Sequence, residues 1–237
     1  MRGLGALDPE PTSVLLAVAD DEEKQPASDD DLAKQTQNPL ADLISVPLQN
    51  NFNFDFGPGN DTQWILNIQP IIPVSLNEKW SLITRTILPV INQPVAAPGL
   101  SSDFGLGDTV FTAWFSPKDA GSFIWGVGPV LLIPTSTSRT LGAGEWGAGL
   151  SVIGLSIDGP WVYGALVSNV WSFDGSVNTF TLQPFINYNF EAGWYLASGP
   201  LITANWEAAS GQKWTVPIGI GVGKVVRIGK RPVNVAL

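Results

Sequence analysis

The stretch that decides the fold is TFTLQPFINYNF, residues 179–190. Taken two residues at a time, one face of this stretch carries Phe180, Leu182, Pro184, Ile186, Tyr188 and Phe190. The other face carries Thr181, Gln183, Phe185, Asn187 and Asn189. A period of two indicates a β-strand rather than a helix. An apolar face that is aromatic at both ends is typical of a strand that faces lipid in a membrane barrel.

Runs of the same kind recur along the chain, separated by clusters of Gly, Pro, Asn and Asp. They predict eleven strands, at residues 48–56, 62–72, 79–91, 105–116, 122–133, 145–157, 160–172, 178–190, 194–206, 212–227 and 232–237. The connections after the even-numbered strands are short turns, whereas those at 92–104 and 134–144 are long. This asymmetry predicts an all-β, up-and-down antiparallel transmembrane β-barrel with short turns in the periplasm and longer loops outside.

The tryptophans provide a further test, because indole rings favour the two membrane–water interfaces. The predicted strands put Trp80, Trp114, Trp125, Trp161 and Trp194 near their periplasmic ends. Trp64, Trp146, Trp171, Trp206 and Trp214 fall near the outer ends. This distribution predicts two aromatic girdles, and it favours a membrane barrel over a soluble β-sandwich, in which tryptophan also anchors the centre of the core.

Composition narrows the classes of function. The 237 residues include no cysteine and no histidine, so the usual metal ligands and catalytic bases are missing, and we expect a protein that is not an enzyme and binds no metal or cofactor. Nine of the 21 acids precede Leu32; beyond Asp31, 12 acids face ten bases, a balance of −2. A nearly neutral body with few charges suits contact with outer-membrane lipid, whereas a nucleic-acid partner would require a basic surface.

Three regions follow from these patterns. Residues 1–31 read as a signal-peptide remnant that ends near Ala17-Val18-Ala19, or as a disordered acidic linker. Residues 32–47 form an N-terminal segment in which Asn38-Pro39 predicts the start of a short helix at residues 39–45. Its apolar face, Leu40, Leu43 and Ile44, is expected to pack on the barrel rim or to enter the lumen as a plug. Residues 48–237 form the barrel.

Alternation within the strands assigns polar side chains to the lumen. The predicted pore-lining residues are Gln63, Asn67, Gln69, Arg85, Asp108, Gln183, Asn187 and Asn189. Arg85 and Asp108 lie on neighbouring strands and are expected to pair, either as a structural ion pair or as a constriction that sorts solutes by charge. Glycines on the same faces of three strands, among them Gly126 and Gly128, predict wall curvature or space for the N-terminal segment or a ligand.

Several segments resemble a known family when they are read in order. They are LAKQTQNPLADLISVPLQNNFNFDFGPGNDTQWILNIQPIIPVSLNEKWSLITRTILPVINQP, GLGDTVFTAWFSP, WGVGPVLLIPT, GPWVYGALVSNVWSF, LQPFINYNF and WTVPIGIGVGKVVRIGKRPVNV. The chain from residue 32 to 235 resembles a bacterial outer-membrane family that carries the labels transporter and "neuromedin U". It is similar, more distantly, to outer-membrane proteins of the meta-pathway of phenol degradation.

The resemblance implies a β-barrel in the outer membrane of Gram-negative bacteria that passes small, aromatic or otherwise apolar, solutes. It supplies no catalytic residues. Family members continue beyond the GKRPVNV region into a further strand, and single-chain bacterial barrels have even strand numbers. We therefore expect twelve strands in the complete protein, with the twelfth lacking here. The alternative function is a non-conducting structural or adhesive barrel, and the oligomeric state stays open.

Overall fold

The structure, a computed structural model, describes residues 10–18, 29–229 and 231–237. Its strands in these ranges are β1 (Glu10–Val18), β2 (Ile44–Phe56), β3 (Asp61–Ile68), β4 (Ile71–Ser75), β5 (Trp80–Gln93), β6 (Asp103–Leu106), β7 (Thr109–Pro117), β8 (Phe123–Ile133), β9 (Gly147–Asp158), β10 (Trp161–Ser172), β11 (Asn178–Asn189), β12 (Trp194–Ser198), β13 (Ile202–Asn205), β14 (Trp214–Thr215), β15 (Gly221–Ile228) and β16 (Arg231–Ala236). Helix α1 spans Asp29–Gln37, and a 3-10 turn spans Glu191–Gly193. None of the helices described is both long and apolar enough to cross a membrane.

The strands form one antiparallel sheet that closes on itself. Its order runs β10-β9-β8-β7-β5-β3-β2-β1-β16-β15-β12-β11, and β11 pairs again with β10. Four positions in the ring are each shared by two strands that follow one another, namely β3 with β4, β6 with β7, β12 with β13, and β14 with β15. The ring therefore has twelve positions, and the predicted all-β barrel is confirmed. We call its two ends the short-turn end and the long-loop end.

The twelfth position is filled by β1, which corrects the expectation of a missing strand. The eleven predicted strands occupy eleven positions, and β1 pairs with β2 on one side and β16 on the other; Val14, for example, lies opposite Leu48 and Val235. The apolar run that ends at Ala17-Val18-Ala19 was interpreted as the end of a signal peptide or as part of an unstructured tail. Pairing two open edges satisfies backbone groups that lipid cannot, which accounts for this placement. The predicted acidic linker at 19–28 lies outside the described residues.

The short helix lies earlier than predicted. Helix α1 ends at Gln37, and residues 39–45 are not helical. Asn38 initiates a turn instead of capping a helix: its side-chain Oδ1 accepts from the Leu40 amide at 2.9 Å, and its carbonyl accepts from the Ala41 amide at 3.1 Å. Asn-Pro favours turns as much as helix starts, so the sequence signal was ambiguous. Ile44 opens β2 and is not part of a plug.

The sequence stretch 179–190 lies in β11 except for its last residue, and the two faces of this strand are as predicted. Asn187 of β11 lies opposite Val162 of β10, and both side chains are buried. Its neighbour Ile186 lies opposite Tyr163, and both are exposed. Because the faces alternate strictly, Gln183, Phe185 and Asn189 share the inner face with Asn187, while the even-numbered residues from Phe180 to Tyr188 face outward.

Exposed aromatic rings cluster at both ends of the outer face. Near the short-turn end, Trp80 and Trp125 meet edge-to-face at 6.0 Å between ring centroids, and Trp161 meets Tyr188 at 4.7 Å. Near the long-loop end, Phe180, Trp206 and Trp214 form one cluster with centroid distances of 5.5 to 6.4 Å. Trp64, Trp146, Trp171 and Trp194 also lie on the outer face, so nine of the ten predicted girdle tryptophans have the predicted orientation.

Candidate channel interior

An apolar cluster fills the inner face near the short-turn end, and we call it the lumen cluster. Its members are Leu40, Ile83, Trp114, Ile153, Leu155, Val162 and Leu166, with Ile71, Ile124 and Phe185 packed against them. Trp114 belongs here and not to a girdle, since its side chain is 1 % exposed and its indole Nε1 donates to Ser151 Oγ at 3.0 Å. Thr112 and Ser116 share its face, and these polar alternates were the signal that Trp114 points inward.

Polar side chains line the wall of β2, β3 and β5, and we call this set the amide ladder. Its members are Gln49, Asn51, Asn53, Gln63, Gln69 and Gln93. Near the long-loop end, Asn53 donates to Gln63 at 2.6 Å and Gln63 to Gln93 at 2.5 Å. Lower on the wall, Gln69 donates to Gln49 at 2.7 Å. Gln63 and Gln69 were predicted, whereas Gln49, Asn51, Asn53 and Gln93 were missed although they alternate with outward residues.

Arg85 and Asp108 do not pair, which corrects the predicted ion pair. Arg85 lies opposite Thr112 in register, and four residues of strand, about 13 Å, separate Thr112 from Asp108. Asp108 instead binds the long loop 134–146, accepting from the amides of Ser136 at 3.2 Å and Gly144 at 2.9 Å. Arg85 donates from Nη2 to Gln69 Oε1 at 2.6 Å and extends the amide ladder.

The other predicted lumen residues are on the inner face. Asn67 lies opposite Gln49 and Pro89, and its side chain is half-buried, as is that of Gln183. Asn187 and Asn189 are buried. The interior is therefore polar along the β2–β5 wall and apolar where β5, β7, β9 and β10 approach the short-turn end. Within the described residues, no group of three or more acids could hold a metal ion.

The segment formed by α1 and residues 38–43 lies against the inner face of the barrel, and we call it the plug. Ala33 is fully buried against Tyr195 and Val225, with Ala197 and Ala236 beside them. Gln37 and Asn189 exchange two amide hydrogen bonds, at 2.8 Å and 3.2 Å. Asn234 donates to Thr36 Oγ1 at 3.3 Å. All four wall positions near Ala33 face inward by register, so the plug interpretation of the N-terminal segment fits better than the rim interpretation.

Leu40 contacts a different part of the barrel wall from the part that α1 contacts. Its side chain is 7 % exposed and packs in the lumen cluster, which is built from β5, β7, β9 and β10. Gly126 of β8 provides the space, because a Cβ atom there would lie 3.3 Å from Leu40 Cδ2 and 3.0 Å from Trp114 Cβ. Of the three predicted plug residues, Leu40 holds this role, whereas Leu43 is half-buried outside the cluster.

The two mouths of the barrel are covered to different extents. At the short-turn end a cleft of about 590 Å³ lies beside the plug, lined by Lys34, Pro160, Tyr188, Asn189, Phe190 and Glu191. At the long-loop end, loop 134–146 packs on the inner side of the barrel wall at Gly105 and Gly107. A Cβ atom on Gly105 would meet Thr137 Oγ1, and one on Gly107 would lie 3.1 Å from the Leu141 carbonyl oxygen. The buried side chain of Leu141 anchors this loop in the mouth.

Outside the strands, one turn holds a perturbed carboxylate. Asp174 lies between β10 and β11 and accepts from Ser172 Oγ at 2.6 Å and from the Ser176 amide at 3.0 Å. These hydrogen bonds, that from Ser172 first, lower the pKa of the Asp174 carboxyl below its usual 3.8 because they stabilise the charged form.

Comparisons with known proteins bear on the fold. No family model matches the chain, and no curated protein does. Among solved structures, the chain is similar to the COG4313 outer membrane channel from Pseudomonas putida F1, with a TM-score of 0.51 and 14 % identity over 99 % of this chain and 96 % of that one. At this identity the likeness concerns the fold, and it extends over the whole barrel.

Proposed function

We propose that this protein is a bacterial outer-membrane channel that passes small solutes and is closed at its short-turn end by the plug. The observation that carries the proposal is the way the plug is held. Its contacts with the wall are an apolar contact at Leu40, packing at Ala33, one hydrogen bond at Thr36 and two at Gln37. Such contacts can break without unfolding the barrel, whose wall is held by continuous backbone pairing.

The amphipathic interior favours solutes that combine an apolar body with a polar group. The half-buried residues packed against the lumen cluster, Ile71, Ile124 and Phe185, offer apolar surface, and the amide ladder offers donors and acceptors on the β2–β5 wall. Sites for small molecules are commonly apolar with a few convergent polar groups. The likeness to an outer membrane channel supports this class of function. A catalytic activity is not part of the proposal.

The second candidate is a non-conducting structural or adhesive barrel, and the burial of Leu40 among the six other members of the lumen cluster favours it. Planar-bilayer recording separates the two, using the full chain and a variant that lacks residues 29–43. This deletion spares the barrel, because Val18 and Ile44 are register partners and residues 19–28 suffice to join them. We expect larger or more frequent conductance steps from the deletion variant. A folded variant without any steps would instead identify a structural barrel.

A further inference from the structure

Arg85 is the one charged side chain that the described wall places at mid-strand on the inner face. It lies in register with Ile71 of β4 and Thr112 of β7, directly above Ile83 and Trp114 of the lumen cluster. Arg85 as a whole residue is half-buried. The side-chain donor Nη2 binds Gln69, whereas Nε is buried and has no hydrogen-bond partner in the described part of the chain.

This guanidinium lacks a counter-charge. The acid predicted to pair with it, Asp108, is held by loop 134–146. No ion pair to Arg85 is formed by any side chain that the structure describes. A guanidinium does not lose its proton near neutral pH, and a partly buried charge without a partner is costly. The positive charge of Arg85 therefore calls for a counter-charge from outside the described side chains, and an anionic ligand would supply it.

We infer that Arg85, with Gln69 beside it, binds the carboxylate of a small monoanionic organic acid inside the barrel. This inference rests on the proposed function, because the ligand is a solute of the channel. The planar guanidinium fork matches the two oxygens of a carboxylate. A single cation balances a single negative charge, whereas a phosphate dianion would keep one charge unpaired. The half-buried side chain of Ile71, the register partner of Arg85, supplies adjacent apolar surface, which fits an aromatic or short aliphatic body.

Benzoate is the probe that combines these features, and benzyl alcohol is its neutral counterpart. Isothermal titration of the full chain in detergent should detect benzoate binding and much weaker binding of benzyl alcohol and inorganic phosphate. Arg85→Met should weaken benzoate binding at least about tenfold, the usual effect of losing a charge-assisted pair, and Arg85→Lys should give an intermediate loss. Lys79→Met removes an exposed turn cation as the matched control, and it should bind benzoate as the parent does.

The variant that lacks residues 29–43 is titrated in parallel, so that a closed plug cannot hide the site. The inference is overturned if neither this variant nor the full chain binds benzoate, if benzyl alcohol binds equally well, or if Arg85→Met binds like the parent. Bilayer recording of the same proteins separates this result from the proposed function. If benzoate binding requires Arg85 but the barrel gives no conductance steps, the channel is refuted and the binding site stands. If the barrel gives conductance steps but does not bind benzoate, the binding site is refuted and the channel stands.

Discussion

Replacing Leu40 with alanine should open the short-turn mouth. Leu40 is 7 % exposed and packs on four strands in the lumen cluster, so its three lost carbon atoms are almost wholly buried ones. At roughly 0.8 kcal/mol per buried methylene, the substitution weakens docking of the plug by about 2.4 kcal/mol. Since about 1.4 kcal/mol is a factor of ten, the ratio of undocked to docked plug rises by roughly fiftyfold. The cavity left behind adds to this effect.

The assay is the open probability of single channels in a planar bilayer, compared between the parent and Leu40→Ala. Leu43→Ala is the matched control, because Leu43 lies in the same segment but outside the lumen cluster. Heat-modifiable migration on a denaturing gel confirms that each barrel is folded. The reasoning is refuted if folded Leu40→Ala keeps the open probability of the parent, or if Leu43→Ala changes it as much.

Three further results follow from the same structure. Ser151→Ala removes the acceptor of the buried Trp114 indole and should lower the free energy of unfolding by about 1–3 kcal/mol, measured by urea titration, whereas Ser156→Ala on the outer face of the same strand should change it little. Lipids brominated near the headgroup should quench the fluorescence of the outward tryptophans but not that of Trp114, so Trp114→Phe should remove the unquenched fluorescence. If the unquenched fluorescence is the same in Trp114→Phe as in the parent, Trp114 does not point inward. The lowered pKa of Asp174 means that its contribution to the turn is complete above pH 3.8 and is lost as the pH falls through the lowered value; NMR titration should find a midpoint below 3.8, and a midpoint at or above it would contradict the hydrogen bonds.

Alternation predicted most of the interior because it is a local property of each strand. Gln183, Asn187 and Asn189 needed only their neighbours to be assigned, and the same holds for Arg85. Trp114 was misplaced because its position near a strand end outweighed its face, although Thr112 and Ser116 marked that face as the inner one. Strict counting from those two residues would have found it.

The pairing of Arg85 with Asp108 failed for a different reason. Adjacent strands and a shared face are visible in sequence, but the height of one residue above another depends on the register between strands. Register depends on turns and on bulges along the whole barrel. The bend between β6 and β7 places Asp108 among the amides of loop 134–146, and no local pattern indicates that loop's path.

The sequence by itself determined the strands, their two faces, the girdles and the class of fold, because each follows from side-chain chemistry at a period of two. Only the tertiary structure decided which segment fills the twelfth position, where the helix lies and what occupies the lumen. These three depend on contacts between residues far apart in the chain, such as the packing of Ala33 with Tyr195 and Val225, the hydrogen bonds of Gln37 with Asn189, and the burial of Leu40 in the lumen cluster. Alternation within a strand specifies which side chains face the lumen and which face lipid. Closure of the barrel and occupation of its lumen depend on how all the strands and the N-terminal segment are arranged together.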